Sequence, residues 1–164
     1  MSNRLDFAEK LAQKAGETLS QYFRLEGVDA DLKEDRTIVT KADLAADTLI
    51  RQEIEAAYPQ DLILTEETNQ IELNPDRPLW VIDPLDGTTN FTYGFSSFAT
   101  CIGLVKNNIP ILGAIGLPHQ KEIYYAEKGF GSFCNDKKIH VSNCRELDKA
   151  MFLFCAGHSE KERA

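Results

Sequence analysis

At 164 residues, with 43% hydrophobic and 27% charged side chains, the chain has the make-up of one folded domain rather than of a disordered or fibrous segment. A domain of about this size buries roughly 68–70% of the surface its unfolded chain exposes, so neither disulfides nor a structural metal is required to hold a core. Against 26 Asp and Glu stand only 18 Lys and Arg, a net charge of −8 that excludes a protein tracking a nucleic-acid backbone with clustered cations.

Leu5, Ala8, Leu11, Ala12, Ala15, Leu19, Tyr22 and Phe23 recur at helical spacing, with Ser2 or Asn3 placed to cap the helix and Gly27 to follow its end. The stretch 1–10 has no secretory pattern and no long apolar span follows. Cys101, Cys134, Cys144 and Cys155 lack C-x-x-C spacing, and Cys101 and Cys155 sit in apolar runs as buried small hydrophobes. A soluble protein of the reducing cytoplasm, without membrane contact, is the expectation.

A second helix is predicted over 42–58, its apolar face formed by Ala45, Ala46, Leu49, Ile50, Ile54 and Ala57 and its end set by Pro59. Short apolar runs at 62–64 and 79–82 read as buried strands. Segments 97–105 and 109–117 flank Asn107-Asn108, a hairpin turn, and 122–127 follows a turn at Pro118-His119-Gln120. A last short hairpin is expected around Asn135-Asp136. Helices followed by hairpin-connected strands predict an α+β fold, two long helices packed on one face of a largely antiparallel sheet. The polar stretch 143–149 marks a boundary, giving a domain over 1–148 and, over 149–164, the opening strand (151–155) of a second one.

The chemistry concentrates in Trp80-Val81-Ile82-Asp83-Pro84-Leu85-Asp86-Gly87-Thr88-Thr89-Asn90-Phe91. An apolar strand delivers Asp83 at its end, and Pro84 is expected to take the chain out of the sheet there. Asp86 follows three residues on, Gly87 permits close ligand approach, and Thr88 and Thr89 offer hydroxyls and amides at the start of a helical turn. Glu66 and Glu67 sit at the end of the 62–64 strand, and two strands finishing at one sheet edge would bring Glu66 beside Asp83. Carboxylates so gathered repel one another unless a hard cation neutralises them, and Mg²⁺ prefers such oxygen donors, the Leu85 carbonyl among them. Asp-Pro and Asp-Gly are common turn chemistry and Glu-Glu commonly a solvated face; only their joint order is specific.

That order, with V-I-D-P-L-D-G-T-T-N-F, the upstream Thr65-Glu66-Glu67, Val39-Thr40-Lys41-Ala42-Asp43 and G-F-G-S-F-C at 129–134, resembles the inositol monophosphatase family over residues 5–155. The resemblance implies two or three Mg²⁺ ions: Glu66, Asp83 and the Leu85 carbonyl around the first, Asp83 and Asp86 around the second, and Glu66 also near a third. It implies that Gly87 and Thr88 donate amides to phosphate, that Thr88 paired with Asp43 helps activate the attacking water alongside Glu66, and that Glu67 supports Glu66. Lithium sensitivity and a homodimer are further implications. The family's second motif, a Trp-Asp followed by Gly-Gly, is absent, since Trp80 is the only tryptophan. The expectation is therefore the amino-terminal half of a longer enzyme, or a truncated protein with weakened or no catalysis.

The expected reaction is Mg²⁺-dependent hydrolysis of a small phosphate monoester, inositol monophosphate first. Histidinol phosphate, fructose bisphosphate and 3′-phosphoadenosine phosphate are alternative substrates, and a noncatalytic partner of transcription or ribosome assembly is an alternative role. His119, His140 and His158 are scattered and read as structural or surface residues, Lys33 as a solvated lysine, and Phe91, Tyr93, Phe95 and Phe98 as core and loop packing.

Overall fold

The computed structural model describes residues 2–32, 38–67 and 72–151. Helix α1 (Asn3–Tyr22) starts at Ser2, whose hydroxyl accepts from the Leu5 amide at 3.3 Å, and stops where Phe23 turns extended. Its buried stripe is Leu5, Ala8, Leu11, Ala12, Ala15 and Leu19, the spacing that places one face toward a core. Two short arms, β1 (Asp31–Leu32) and β2 (Ile38–Val39), pair antiparallel before the second helix; the sequence reading had no element there. Helix α2 (Lys41–Ala57) ends at the residue before Tyr58-Pro59, as the proline ring requires.

Seven strands form the main sheet: β3 (Leu62–Thr65), β4 (Leu79–Asp86), β5 (Ala99–Lys106), β6 (Ile109–Leu117), β7 (Glu122–Glu127), β8 (Gly131–Cys134) and β9 (Lys137–Ile139), lying side by side in chain order. A short helix, α3 (Thr88–Thr92), separates β4 from β5. Every neighbouring pair is antiparallel except β3 and β4, which run parallel with Leu62 opposite Leu79 and Thr65 opposite Ile82. The hairpins close through left-handed residue pairs, Asn107 and Asn108 at φ 52° and 59° and Asn135 and Asp136 at 45° and 65°, as two-residue turns demand.

Both long helices pack on one face of this sheet. Leu5, Leu11, Ile50 and Ile54 meet Trp80, Ile82, Ile102, Leu104 and Ala114 in one cluster, while Leu19, Ala42, Ala46, Leu85, Phe91 and Phe98 form a second cluster under α3. Fully burying each large apolar side chain contributes about 1.5–3 kcal/mol. Helix α1 sits so close to β6 that a Cβ on Gly116 would stand 2.9 Å from the Ala12 carbonyl oxygen. At the far end the Trp80 indole donates to Asp61 at 2.9 Å, and Arg4, ion-paired to the same carboxylate, lies 4.1 Å over the Tyr58 ring. The opposite face of the sheet is apolar too. Val81 and Ile115 are 40% and 43% exposed, and with Cys101, Gly103 and Gly113 they line a shallow hollow of about 560 Å³.

Several expectations need correction. Pro84 does not take the chain out of the sheet: β4 continues to Asp86, which pairs with Ala99 across a register shift after Asp83. The irregularity spares Pro84 the ladder donor it lacks, and its carbonyl accepts instead from the buried Thr100 hydroxyl at 2.9 Å. Cys101 is only partly buried, because it points to the uncovered face. The aromatic set divides: Phe91 and Phe98 are core, whereas Tyr93 and Phe95 are 68% and 64% exposed. His119 packs edge-on against Phe23 at 5.6 Å. Lys33, Cys155, His158 and all of the 151–155 strand except Met151 lie outside the described residues.

Candidate functional site

Parallel pairing of β3 with β4 sets the site. Because Thr65 lies opposite Ile82, the residue after each strand position is carried to the same sheet edge, and the Glu66 amide donates to the Ile82 carbonyl at 3.2 Å. The next residue on β4 is Asp83. Its carboxyl lies within electrostatic reach of the Glu66 side chain and of Asp86. The same carboxyl accepts from the Leu85 amide at 3.1 Å, an Asx-type turn that folds the chain over Pro84 and leaves Leu85 99% buried.

Burial first, then the Glu66 and Asp86 charges, push Asp83 up from 3.8 to about 7. Near neutrality Asp83 therefore holds a proton for part of the time. Among the described residues no three His, Cys, Asp or Glu side chains stand together as a metal cage. The donor set nonetheless fits a hard cation, which would take the place of that proton. It comprises the carboxylates of Glu66, Asp83 and Asp86, all oxygen donors, with no competing thiolate. The nearby Cys101 thiol is itself pushed to about 12 by burial and by Asp86 and Asp83, so it stays protonated.

A second group adjoins the first. Thr40 caps α2 and Asp43 closes the capping box: the Thr40 amide donates to Asp43 Oδ2 at 2.8 Å, and the Thr40 hydroxyl accepts from the Ala42 amide at 3.1 Å. That fixes the 97%-buried Asp43 with its other oxygen, Oδ1, facing the Thr88 hydroxyl at 3.2 Å. The same hydroxyl lies 3.0 Å from the Leu85 carbonyl oxygen. A single hydroxyl proton serves only one of these acceptors at a time, so Thr88 can switch between them. Gly87 enters α3 at φ 86°, and a Cβ there would stand 2.9 Å from the Ser97 carbonyl oxygen, so no other residue fits without displacing the loop.

The structure thus sets Glu66 and Asp86 each within electrostatic reach of Asp83, with Leu85 bonded to the Asp83 carboxyl and Asp43, Gly87 and Thr88 beside it, without closing them into a cage. Glu67 follows Glu66 in the turn after β3, half-buried. Sequence reasoning missed Thr40, although T-x-x-D ahead of an apolar run is a capping-box signal, and it missed Thr100, whose role exists only across the β4–β5 pairing.

The sequence profile of the inositol monophosphatase family matches residues 1–164. A histidinol-phosphatase of Chlorobaculum parvum is 36% identical over 99% of this chain and 61% of its own length. A fructose-1,6-bisphosphatase/inositol-1-monophosphatase of Thermotoga maritima is 37% identical over 91% of this chain and 57% of its own. Among solved structures, the extragenic suppressor protein suhB of Bartonella henselae superposes with a TM-score of 0.80 at 34% identity, covering 89% of this chain and 56% of that one. The chain therefore spans little more than half the length of the relatives it matches. Profile, sequence and backbone agree with one another, and the chain belongs to the inositol monophosphatase family.

Proposed function

We propose that this protein hydrolyses small phosphate monoesters, inositol monophosphate first, with Mg²⁺ held by Glu66, Asp83, the Leu85 carbonyl and Asp86. The observation that carries the reading is the raised Asp83 carboxyl, pressed against Glu66 and Asp86 at one sheet edge. When bound, the cation would neutralise these carboxylates and the phosphate and stabilise charge on the leaving oxygen.

The chain's own residues account for the rest. Asp43 is held by the capping box through Oδ2, which leaves Oδ1 as a fixed acceptor for the Thr88 hydroxyl. Thr88 passes its hydroxyl proton to Asp43 Oδ1 as it takes one from the attacking water, so the proton ends on the Asp43 carboxylate, and Glu66 helps to position that water. Gly87, lacking a side chain, lets a phosphate oxygen approach the Gly87 and Thr88 amides. Glu67 supports the turn that carries Glu66. The free thiols of Cys101, Cys134 and Cys144 accord with a reducing cytoplasm, and no described helix is long and apolar enough to cross a membrane.

Phosphate release from inositol 1-phosphate, histidinol phosphate and fructose 1,6-bisphosphate, measured with the natural full-length protein with and without Mg²⁺, tests the reading. Metal-dependent turnover of at least one ester that collapses in Asp83→Asn is expected. Undiminished turnover in that variant would falsify the metal role.

A further inference from the structure

Between the pairs Asp83–Cys101 and Asp86–Ala99, strand β4 carries two residues, Pro84 and Leu85, opposite the single residue Thr100 of β5. This is a β-bulge, and it decides where the carboxylates point. In a regular strand, residues three apart face opposite sides of the sheet. The extra residue restores the phase. Asp86 lies opposite Ala99, Asp83 lies opposite Cys101, and Ala99 and Cys101, two apart on β5, share a face. Both carboxylates therefore reach one side, where Asp86 raises Asp83 and both raise the Cys101 thiol.

Thr100 itself is fully buried, and its partner on β6 is Gly116, the residue pressed against α1. It thus faces the helices, while Asp83 and Cys101 line the hollow on the uncovered face. Two hydrogen bonds join these sides through one peptide unit. The Pro84 carbonyl accepts from the Thr100 hydroxyl at 2.9 Å, and the amide of the same Pro84–Leu85 peptide donates to Asp83 Oδ1 at 3.1 Å. In a planar trans peptide the carbonyl and the N–H point in opposite directions, so holding one aims the other. A buried hydroxyl costs stability unless it is hydrogen-bonded, and valine would fill the same space without that demand. The bond to Pro84 is what threonine supplies here.

We propose that Thr100 is a positioning residue for Asp83 and Asp86. Its hydroxyl pins the Pro84–Leu85 peptide from the helix side of the sheet, which holds the extra residue in the bulge and aims the Leu85 amide at the Asp83 carboxyl. The link to metal binding rests on the function proposed above; the link to the order of the Leu85 amide does not.

The test uses the natural full-length protein and two variants. Thr100→Val keeps the shape and removes the donor, whereas Thr100→Ser keeps the hydroxyl. Hydrogen exchange of the Leu85 amide, followed without metal, is expected to quicken about tenfold in Thr100→Val relative to the Glu66 amide, which is bonded across the other edge of β4 to Ile82. In Thr100→Ser it is expected to stay within about twofold of wild type. Titration with Mg²⁺ is expected to show affinity weakened about tenfold in Thr100→Val and restored in Thr100→Ser. Equal acceleration at Leu85 and Glu66 would show a role in global stability alone and overturn the proposal, as would an unchanged Leu85 amide in Thr100→Val. Should Thr100→Val fail to fold, Thr100→Ala removes the same donor and carries the comparison. Wild-type protein that binds no Mg²⁺ would refute the proposed function while leaving the exchange result to decide the positioning role.

Discussion

The Glu66 amide donates to the Ile82 carbonyl at 3.2 Å, and this single bond across the parallel β3–β4 pair puts the Glu66 side chain against Asp83. Carboxyl groups 17 positions apart thereby come together, a relationship that depends on the register Thr65 opposite Ile82 and would vanish with a one-residue slip.

Asp83 binds its proton more tightly in the folded chain than in the unfolded one. Its contribution to stability is therefore fully present below about pH 4 and lost as pH rises through about 7. The metal-free Asp83→Asn protein is expected to be the more stable of the two at pH 8, with the difference shrinking toward pH 4. Thermal melts in a chelating buffer read this directly; a variant less stable than wild type at pH 8 contradicts the repulsion inferred at this edge.

On the proposed reading, cation binding at Asp83 displaces that proton. Mg²⁺ affinity should accordingly rise about tenfold per pH unit below pH 7 and level off above it. Calorimetric titration from pH 5.5 to 8.5 in buffers of differing ionisation heat would also count the proton released. A flat profile excludes Asp83 as the titrating ligand.

Thr88 is expected to act through its hydroxyl. Thr88→Val should lower kcat by about 10²- to 10⁴-fold with little change in KM, while Thr88→Ser keeps most of the activity. Steady-state kinetics on the best ester found decides it; a loss confined to KM points to a binding role instead.

Gly116→Ala tests the packing of α1 on β6. The added methyl meets the backbone oxygen of Ala12, which cannot rotate away, so helix or strand must shift at a cost of about 1–3 kcal/mol. Urea denaturation monitored through Trp80 measures it, and an unaltered midpoint would show that the layers slide freely.

Much of the architecture is written in local pattern. The stripe from Leu5 to Leu19, the Pro59 stop and the Asn107-Asn108 and Asn135-Asp136 turns each carry their own geometry, so helices and hairpins follow from residues close in the chain. The path at Pro84 was not legible, because what keeps β4 in the sheet is the Thr100 hydroxyl on the neighbouring strand. The exposure of Cys101 was likewise decided by which face the helices cover.

By itself the sequence determined the oxygen-rich inventory at Glu66, Asp83, Asp86 and Thr88 and the order in which it is strung. Tertiary structure alone decided that these groups share an edge, that Asp83 is raised to about 7, and that Asp43 turns one oxygen to its cap and the other to Thr88. The reason is that a carboxylate's chemistry depends on the charges and burial around it, and those neighbours come from β3, β4 and α2, segments that meet only once the sheet has set its register.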